Sequence, residues 1–260
     1  MQSASFDTYA HQYDEHFTFS PIGRAQRDIV RHNLLPLLGE DKVLLELNCG
    51  TGYDAFELRK HVKSVLATDA SPAMIGECEA KFRTGAASGL HFKVMRIQDA
   101  GQQLQGVNLV FSNFGGLNCL SPSEFKALAG DCRNNLQQGS DLFFVVMGKN
   151  CIWERLYFLW KFDRSNAFRR GQPGGVPTHI GPASFLTWYY SPREIAGFFG
   201  PDFKMQSCGP VGLFVPPSYL NPFFENRKRL LKLFGSLDRI FCKFKWAAGY
   251  ADHFYIHLKK

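Results

Sequence analysis

The chain has 260 residues, 45% of them hydrophobic and 15% aromatic. That composition supports one sizeable core with insertions and excludes a disordered or low-complexity chain. Thirty basic residues stand against 23 acidic ones, a formal net charge of +7; this suits an acidic partner but is modest for a nucleic-acid groove. No apolar run, 142–147 included, is long enough to span a bilayer, and no basic-then-apolar leader opens the chain. Seven cysteines without a C-x-x-C pair read as free thiols, with no metal site. A cytoplasmic protein is the expectation.

In chain order, Phe6, Tyr9, Tyr13 and Phe17 fall on one helix face. Ser20-Pro21 starts a helix carried by Ile22, Ile29, Val30 and Leu34 and broken at Pro36 and Gly39. The apolar run Val43–Leu47 then predicts a strand, ending in Asn48-Cys49-Gly50-Thr51-Gly52, and a helical pattern runs from Tyr53 to Val62. Strand, glycine turn and helix form the layout of a nucleotide site. The turn delivers backbone N–H groups at the positive end of a helix. Glu46, at the carboxyl end of the strand, would repel a pyrophosphate and suits a cationic ligand. A second strand, Ser64–Thr68, ends in Asp69, twenty-three residues after Glu46 and placed to accept both hydroxyls of a ribose. Pro72 to about Phe82 is a helix, followed by a small-residue loop over 85–89.

Glu46 through Gly52, with Ala67-Thr68-Asp69-Ala70-Ser71-Pro72-Ala73-Met74, resembles the class I S-adenosylmethionine-dependent methyltransferases, most closely their small-molecule branch. The resemblance implies a Rossmann-like, doubly wound α/β fold. Its sheet has seven strands, the last antiparallel, with helices on both faces. It implies S-adenosyl-L-methionine as cofactor, with its amino-acid end among Glu46, Asn48, Cys49, Gly50 and Gly52. The ribose would lie on Asp69, near Ala70 and Met74. Many members have glycine where this chain has Asn48. The leading segment of the family covers the cleft, which brings Tyr13 to the ligand or leaves it as core packing. A third strand, His91–Ile97, closes in Gln98-Asp99, where the family uses an acid for the adenine amino group. A fourth, Val107–Ser112, leads into Asn113 and Phe114, where cofactor and substrate are expected to meet. Asn113 or Asn118 would orient the substrate. The first asparagine alone resembles the N-P-P-Y signature of amino-group enzymes, so that specificity does not carry over.

Ser121-Pro122 starts a helix running to Gln137, and Asp141–Gly148 is a buried fifth strand. Residues 150–187 interrupt the alternation. Cys151–Phe162 reads as an aromatic helix followed by Arg164, Arg169 and Arg170, and is expected to form a lid at the mouth of the cleft. Ser191-Pro192-Arg193-Glu194 starts another helix, and Phe203 a sixth strand. Residues 216–245 form a second, basic helical insertion before the last strand, Tyr250–Leu258. The expected organisation is one domain, 1–260, with 1–40 as an N-terminal helical cover.

The family reaction is in-line attack on a sulfonium methyl, which depends mainly on alignment. His16, His179 and Tyr189 are the candidate catalytic groups. The substrate is expected to be small, lipophilic or aromatic, with peripheral membrane contact open and nucleic acid disfavoured. Gly50, Gly52 and Ala55 also fit G-x-G-x-x-A, so a dinucleotide-dependent oxidoreductase stands as an alternative, as does a non-catalytic cofactor-binding or membrane-associated regulator.

Overall fold

The computed structural model describes residues 10–82, 89–180 and 183–260. Its centre is a seven-stranded sheet. β1 (Gly39–Leu47) lies in the middle, flanked by β2 (Val62–Asp69) and then β3 (Leu90–Val94) on one side. On the other side follow β4 (Leu109–Ser112), β5 (Asp141–Met147), β9 (His253–Lys259) and β8 (Lys204–Val211). The first five strands pair in parallel, and β9 runs antiparallel to both β5 and β8, so the expected topology holds.

Helices sheath both faces because the strands bury both. Leu45 and Leu47 of β1 join the core under α4 (Pro122–Asn135) and α6 (Pro192–Phe199), around Phe125, Ile195 and Phe199. Leu44 points the other way, to Ile29 and Leu34 of α1 (Pro21–Leu34), Leu58 of α2 (Tyr53–Leu58) and Ile75 of α3 (Pro72–Phe82). Glu46 is two residues on from Leu44, so the pleat sends it toward α1 and α2 as well. Capping boxes at Ser121/Glu124 and Ser191/Glu194 start α4 and α6 where the sequence puts them.

Several boundaries move. The helix after Gly52 stops at Leu58, because Val62 is already the first residue of β2. β3 ends at Val94, and Ile97–Gln103 is a 3-10 turn instead of strand. The leading segment is a helical turn, Ala10–Tyr13, running into a π-turn, Asp14–Thr18; Phe6 and Tyr9 lie outside the described residues, as does most of the loop expected over 85–89. The first insertion holds α5 (Ile152–Trp160) and a hairpin that the sequence did not foretell, β6 (Val176–Ile180) with β7 (Ala183–Thr187). The second holds α7 (Lys228–Phe241).

Candidate active site

The cleft opens beyond the carboxyl ends of β1, β2 and β4, where open α/β sheets bind ligands. Its floor is the turn after β1. Asn48, Gly50 and Gly52 all have positive φ, at 51°, 55° and 77°. Asparagine tolerates this left-handed geometry better than most side chains, which is why it can stand in the place of a glycine. Its amide also gains partners: Nδ2 donates to the Asn113 carbonyl at 2.6 Å, and Oδ1 accepts from the Ser112 hydroxyl. The ends of β1 and β4 are thereby tied together. Gly116 makes the room, since a β-carbon there would sit 2.0 Å from the Asn48 side chain.

The cover lies across the turn. Thr51 and Lys81 both bond the Asp14 carboxylate, and the Tyr13 ring comes so near Gly50 that a β-carbon there would lie 3.5 Å from it. Burial pushes the Tyr13 phenol up to about 12, so it stays protonated. On the rim of β2, the Asp69 carboxylate accepts the N–H groups of Gly50 and Ser71, each at 2.9 Å.

Glu46 is the unusual group. It is 1% exposed, and its Oε2 has no hydrogen-bond partner. Burial, reinforced by the nearby Asp54 charge, raises its carboxyl well above the ordinary range. Opposite it lie Arg27 and Asp54, which the sequence reading missed. Arg27 Nε donates to both Asp54 oxygens at 2.9 and 3.1 Å, and Asn113 Nδ2 donates to Asp54 at 2.9 Å. Although burial opposes it, the Asp54 carboxylate raises the Arg27 guanidinium above its usual value. The Arg27 guanidinium also lies over the rings of Tyr53 and Phe114, 5.2 and 5.3 Å from their centroids. Tyr13, Glu46, Asn48, Cys49, Asn113 and Phe114 line this cleft together with Arg27, Asp54 and Tyr53.

The other expected residues sit apart from this lining. Met74 is buried in α3 and Ala70 lies beside Asp69. Gln98 donates to Glu124, and Asp99 is ion-paired with Arg96 at 2.9 Å. Asn118 is buried with its amide committed to backbone: Met147 N–H donates to it at 2.8 Å, and it donates to the carbonyls of Met147 and Trp188. His16 is in the π-turn and His179 in β6; their side chains lie outside the described residues. The Tyr189 ring stacks under the Arg170 guanidinium at 5.0 Å, and burial raises its phenol.

Arg170 is spoken for. It is buried, bonded to Glu154 and to Asp252 at 2.7–2.8 Å, and joins the first insertion to the start of β9. Asp252 also accepts from Gln26 of α1 at 3.3 Å. Next to it, the His253 ring stands edge-on to Phe114 of the cleft lining, ring centroids 5.4 Å apart. His253 Nδ1 lies 3.2 Å from Asp252 Oδ2, off the hydrogen-bonding direction; protonation of the imidazole turns this contact into an ion pair. Against its burial, the charges of His253 and Arg170 hold the Asp252 carboxyl far below the ordinary range. A sequence signal for His253 existed: an antiparallel last strand begins where its parallel neighbours end.

Residues 44–139 match the family described as a methyltransferase domain. No curated protein matches the chain significantly. Among solved structures, an S-adenosylmethionine-dependent methyltransferase from Listeria monocytogenes is similar over 90% of this chain and 99% of its own, with a TM-score of 0.62 at 16% identity. The complex DhpI–SAM–HEP is similar over 100% and 96%, at 0.63 and 18%. Geranyl diphosphate C-methyltransferase from Streptomyces coelicolor is similar over 88% and 75%, at 0.53 and 14%. At these identities the likenesses establish the fold. Residues 44–139 thus carry a methyltransferase domain, within a fold shared with S-adenosylmethionine-dependent methyltransferases. The similar solved structures include complexes with SAM and with SAH.

Proposed function

We propose that the protein methylates a small, lipophilic or aromatic acceptor that enters between Phe114, Tyr189 and His253. The observation that carries this reading is His253, edge-on to Phe114 of the cleft lining and beside the Asp252 carboxylate. When bound, the cofactor supplies an electrophilic methyl on a sulfonium. The residues fit it: the buried Glu46 carboxylate, with its unpartnered Oε2, suits a cationic amino-acid end, Arg27 suits its carboxylate, and Asp69 suits the ribose. Asn48, Cys49, Gly50 and Gly52 let the backbone approach the ligand, with Tyr13, Asn113 and Phe114 closing around it. Ala70, Met74, Gln98 and Asp99 extend the proposed site toward the adenine.

His253 takes the proton from the acceptor atom as that atom attacks the methyl, and Asp252 steadies the imidazolium. Tyr189 keeps its own proton and orients the acceptor. His16 and His179 are the remaining candidate bases. Residues 150–187 form the acceptor-side wall. Arg170 ties this segment to Asp252. Methyl transfer from labelled cofactor to a panel of phenols, terpenoid alcohols and carboxylic acids finds the acceptor. On it, His253→Asn lowers kcat by roughly 100-fold or more, while S-adenosylhomocysteine affinity is kept. Turnover within about threefold of wild type would reject the role, since general-base contributions begin near 100-fold.

A further inference from the structure

Two helices outside the cleft present apolar side chains to solvent, the reverse of what an outer helix needs. On α5, Ile152, Leu156, Leu159 and Trp160 recur at helical spacing along the outward face, and Leu156 and Trp160 are 60% and 78% exposed. Phe162, just past the helix at a φ of 57°, is 95% exposed. The inward residues of α5 are conventionally placed: Glu154 is buried against Arg169 and Arg170, and Trp153 packs on Phe234 of α7. On α7, Leu231 and Asp238 face inward, while Leu233 and Ile240 are 55% and 63% exposed. Trp246, shortly after α7, is 65% exposed. The apolar surface thus spans two neighbouring helices that meet through Trp153 and Phe234.

Its charge is as uneven as its polarity. Between residues 225 and 245 the chain carries seven Lys or Arg against two carboxylates. One of those carboxylates, Asp238, is buried and accepts the N–H groups of Leu213, Phe214 and Val215. Lys228, Arg229, Lys232 and Arg239 all lie exposed beside Leu233 and Ile240. Bulky apolar and aromatic tips flanked by cations match the interface of an anionic bilayer, where rings and aliphatic chains enter the headgroup boundary and cations meet the lipid phosphates. Nucleic acid would satisfy the cations but leave Trp160, Phe162 and Ile240 in water. Among the described residues no helix is long and apolar enough to cross a membrane.

We propose that α5, α7 and Trp246 form a docking face that seats the protein peripherally on an anionic lipid surface. This goes beyond the methyl-transfer reading: α5 belongs to the segment proposed as the acceptor-side wall, but Leu156, Trp160 and Phe162 are exposed to solvent and none lines the cofactor cleft. The test is flotation with phosphatidylcholine vesicles and with vesicles of phosphatidylcholine mixed with phosphatidylglycerol. Sedimentation velocity of the protein alone accompanies it. The full-length protein is expected to float with the anionic vesicles and not the neutral ones, release in high salt, and show a blue-shifted tryptophan emission when bound. The triple variant Lys228→Glu/Arg229→Glu/Lys232→Glu is expected to bind about 100-fold more weakly, from about fivefold per cation. Trp160→Ser/Phe162→Ser should lose binding and the blue shift together. Both variants should keep wild-type S-adenosylhomocysteine affinity, which reports a folded cleft. The proposal is overturned if anionic vesicles bind no better than neutral ones, if the folded variants bind as wild type does, or if the free protein is a stable dimer that these substitutions dissolve.

Discussion

Asn48 and Gly116 act as one unit. The asparagine accepts a left-handed φ that glycine would take more easily, and in return its amide bonds Ser112 and the Asn113 carbonyl. Gly116 permits this, because any β-carbon would overlap the Asn48 side chain. Gly116→Ala is therefore expected to destabilise by about 1–3 kcal/mol, as overpacking does. In an Asn48→Gly background the same change should cost far less, since the overlapping side chain is gone. A double-mutant cycle by urea unfolding should give a coupling of about 1 kcal/mol or more; additivity would mean that the two residues do not share this space. Asn48 was legible in sequence as a departure from the glycine pattern. Its partner was not, because Gly116 lies in another loop and becomes its neighbour only when β1 and β4 pair. Arg27 and Asp54 were hidden for a similar reason: each reads alone as an ordinary charged helix residue, and only the pairing of α1 with α2 buries them together opposite Glu46.

Among the elements, those with a clear local signal were read well. The β1 turn, the capped starts of α4 and α6, and the buried β5 each carry their instruction in a few consecutive residues. The first insertion was read by its aromatic content, which marked α5 but could not tell which aromatics turn inward. Trp153 and Tyr157 do; Trp160 and Phe162 do not. The hairpin β6–β7 was hidden by the Gly171–Pro177 run, which reads as turn although its last two residues, Val176 and Pro177, already belong to β6. Asn118 was expected near substrate and instead fastens the end of β5 to the segment after β7. Asn118→Ala would strand the Met147 N–H, a part-buried donor, and free the Trp188 carbonyl. We expect a loss of about 2–4 kcal/mol in urea unfolding, the range for several buried hydrogen bonds. A loss under about 0.5 kcal/mol, typical of surface substitutions, would show the joint to be dispensable.

At the scale of the whole molecule, the seven-stranded sheet with its antiparallel last strand was legible through the family resemblance of the β1 and β2 segments. The electrostatic consequences were not, since they depend on burial. Asp141 is a case: its carboxylate meets Lys42 at 2.8 Å and His257 at 2.9 Å, and against the effect of burial these partners lower it to about 2. A carboxyl lowered on folding contributes stability above its unfolded value, near 4, and loses it as the pH falls toward 2. Asp238 works in the opposite sense: burial raises it to about 6, despite its backbone N–H donors, so its contribution is lost as the pH rises through that value. Thermal melts between roughly pH 4.5 and 2 should show Asp141→Asn less stable than wild type at the upper end and converging with it at the lower. Parallel curves would contradict the assignment.

The central claim is that this cleft holds the cationic end of S-adenosylmethionine on Glu46. In the free protein, burial raises the Glu46 carboxyl well above its ordinary range, so it holds its proton to higher pH; a cation beside it favours the carboxylate. The decisive measurement is calorimetric titration over a pH series upward from the ordinary carboxyl range, with S-adenosylhomocysteine, whose amino-acid end carries the same ammonium, in buffers of different ionisation enthalpy, with NAD as comparison ligand. The account predicts binding accompanied by proton release, with no binding of NAD. In Glu46→Gln, proton release should disappear and affinity fall by about tenfold or more, the scale of a lost charge-assisted hydrogen bond. Tight NAD binding without S-adenosylhomocysteine binding, or a Glu46→Gln variant that binds with wild-type affinity and proton release, would contradict it.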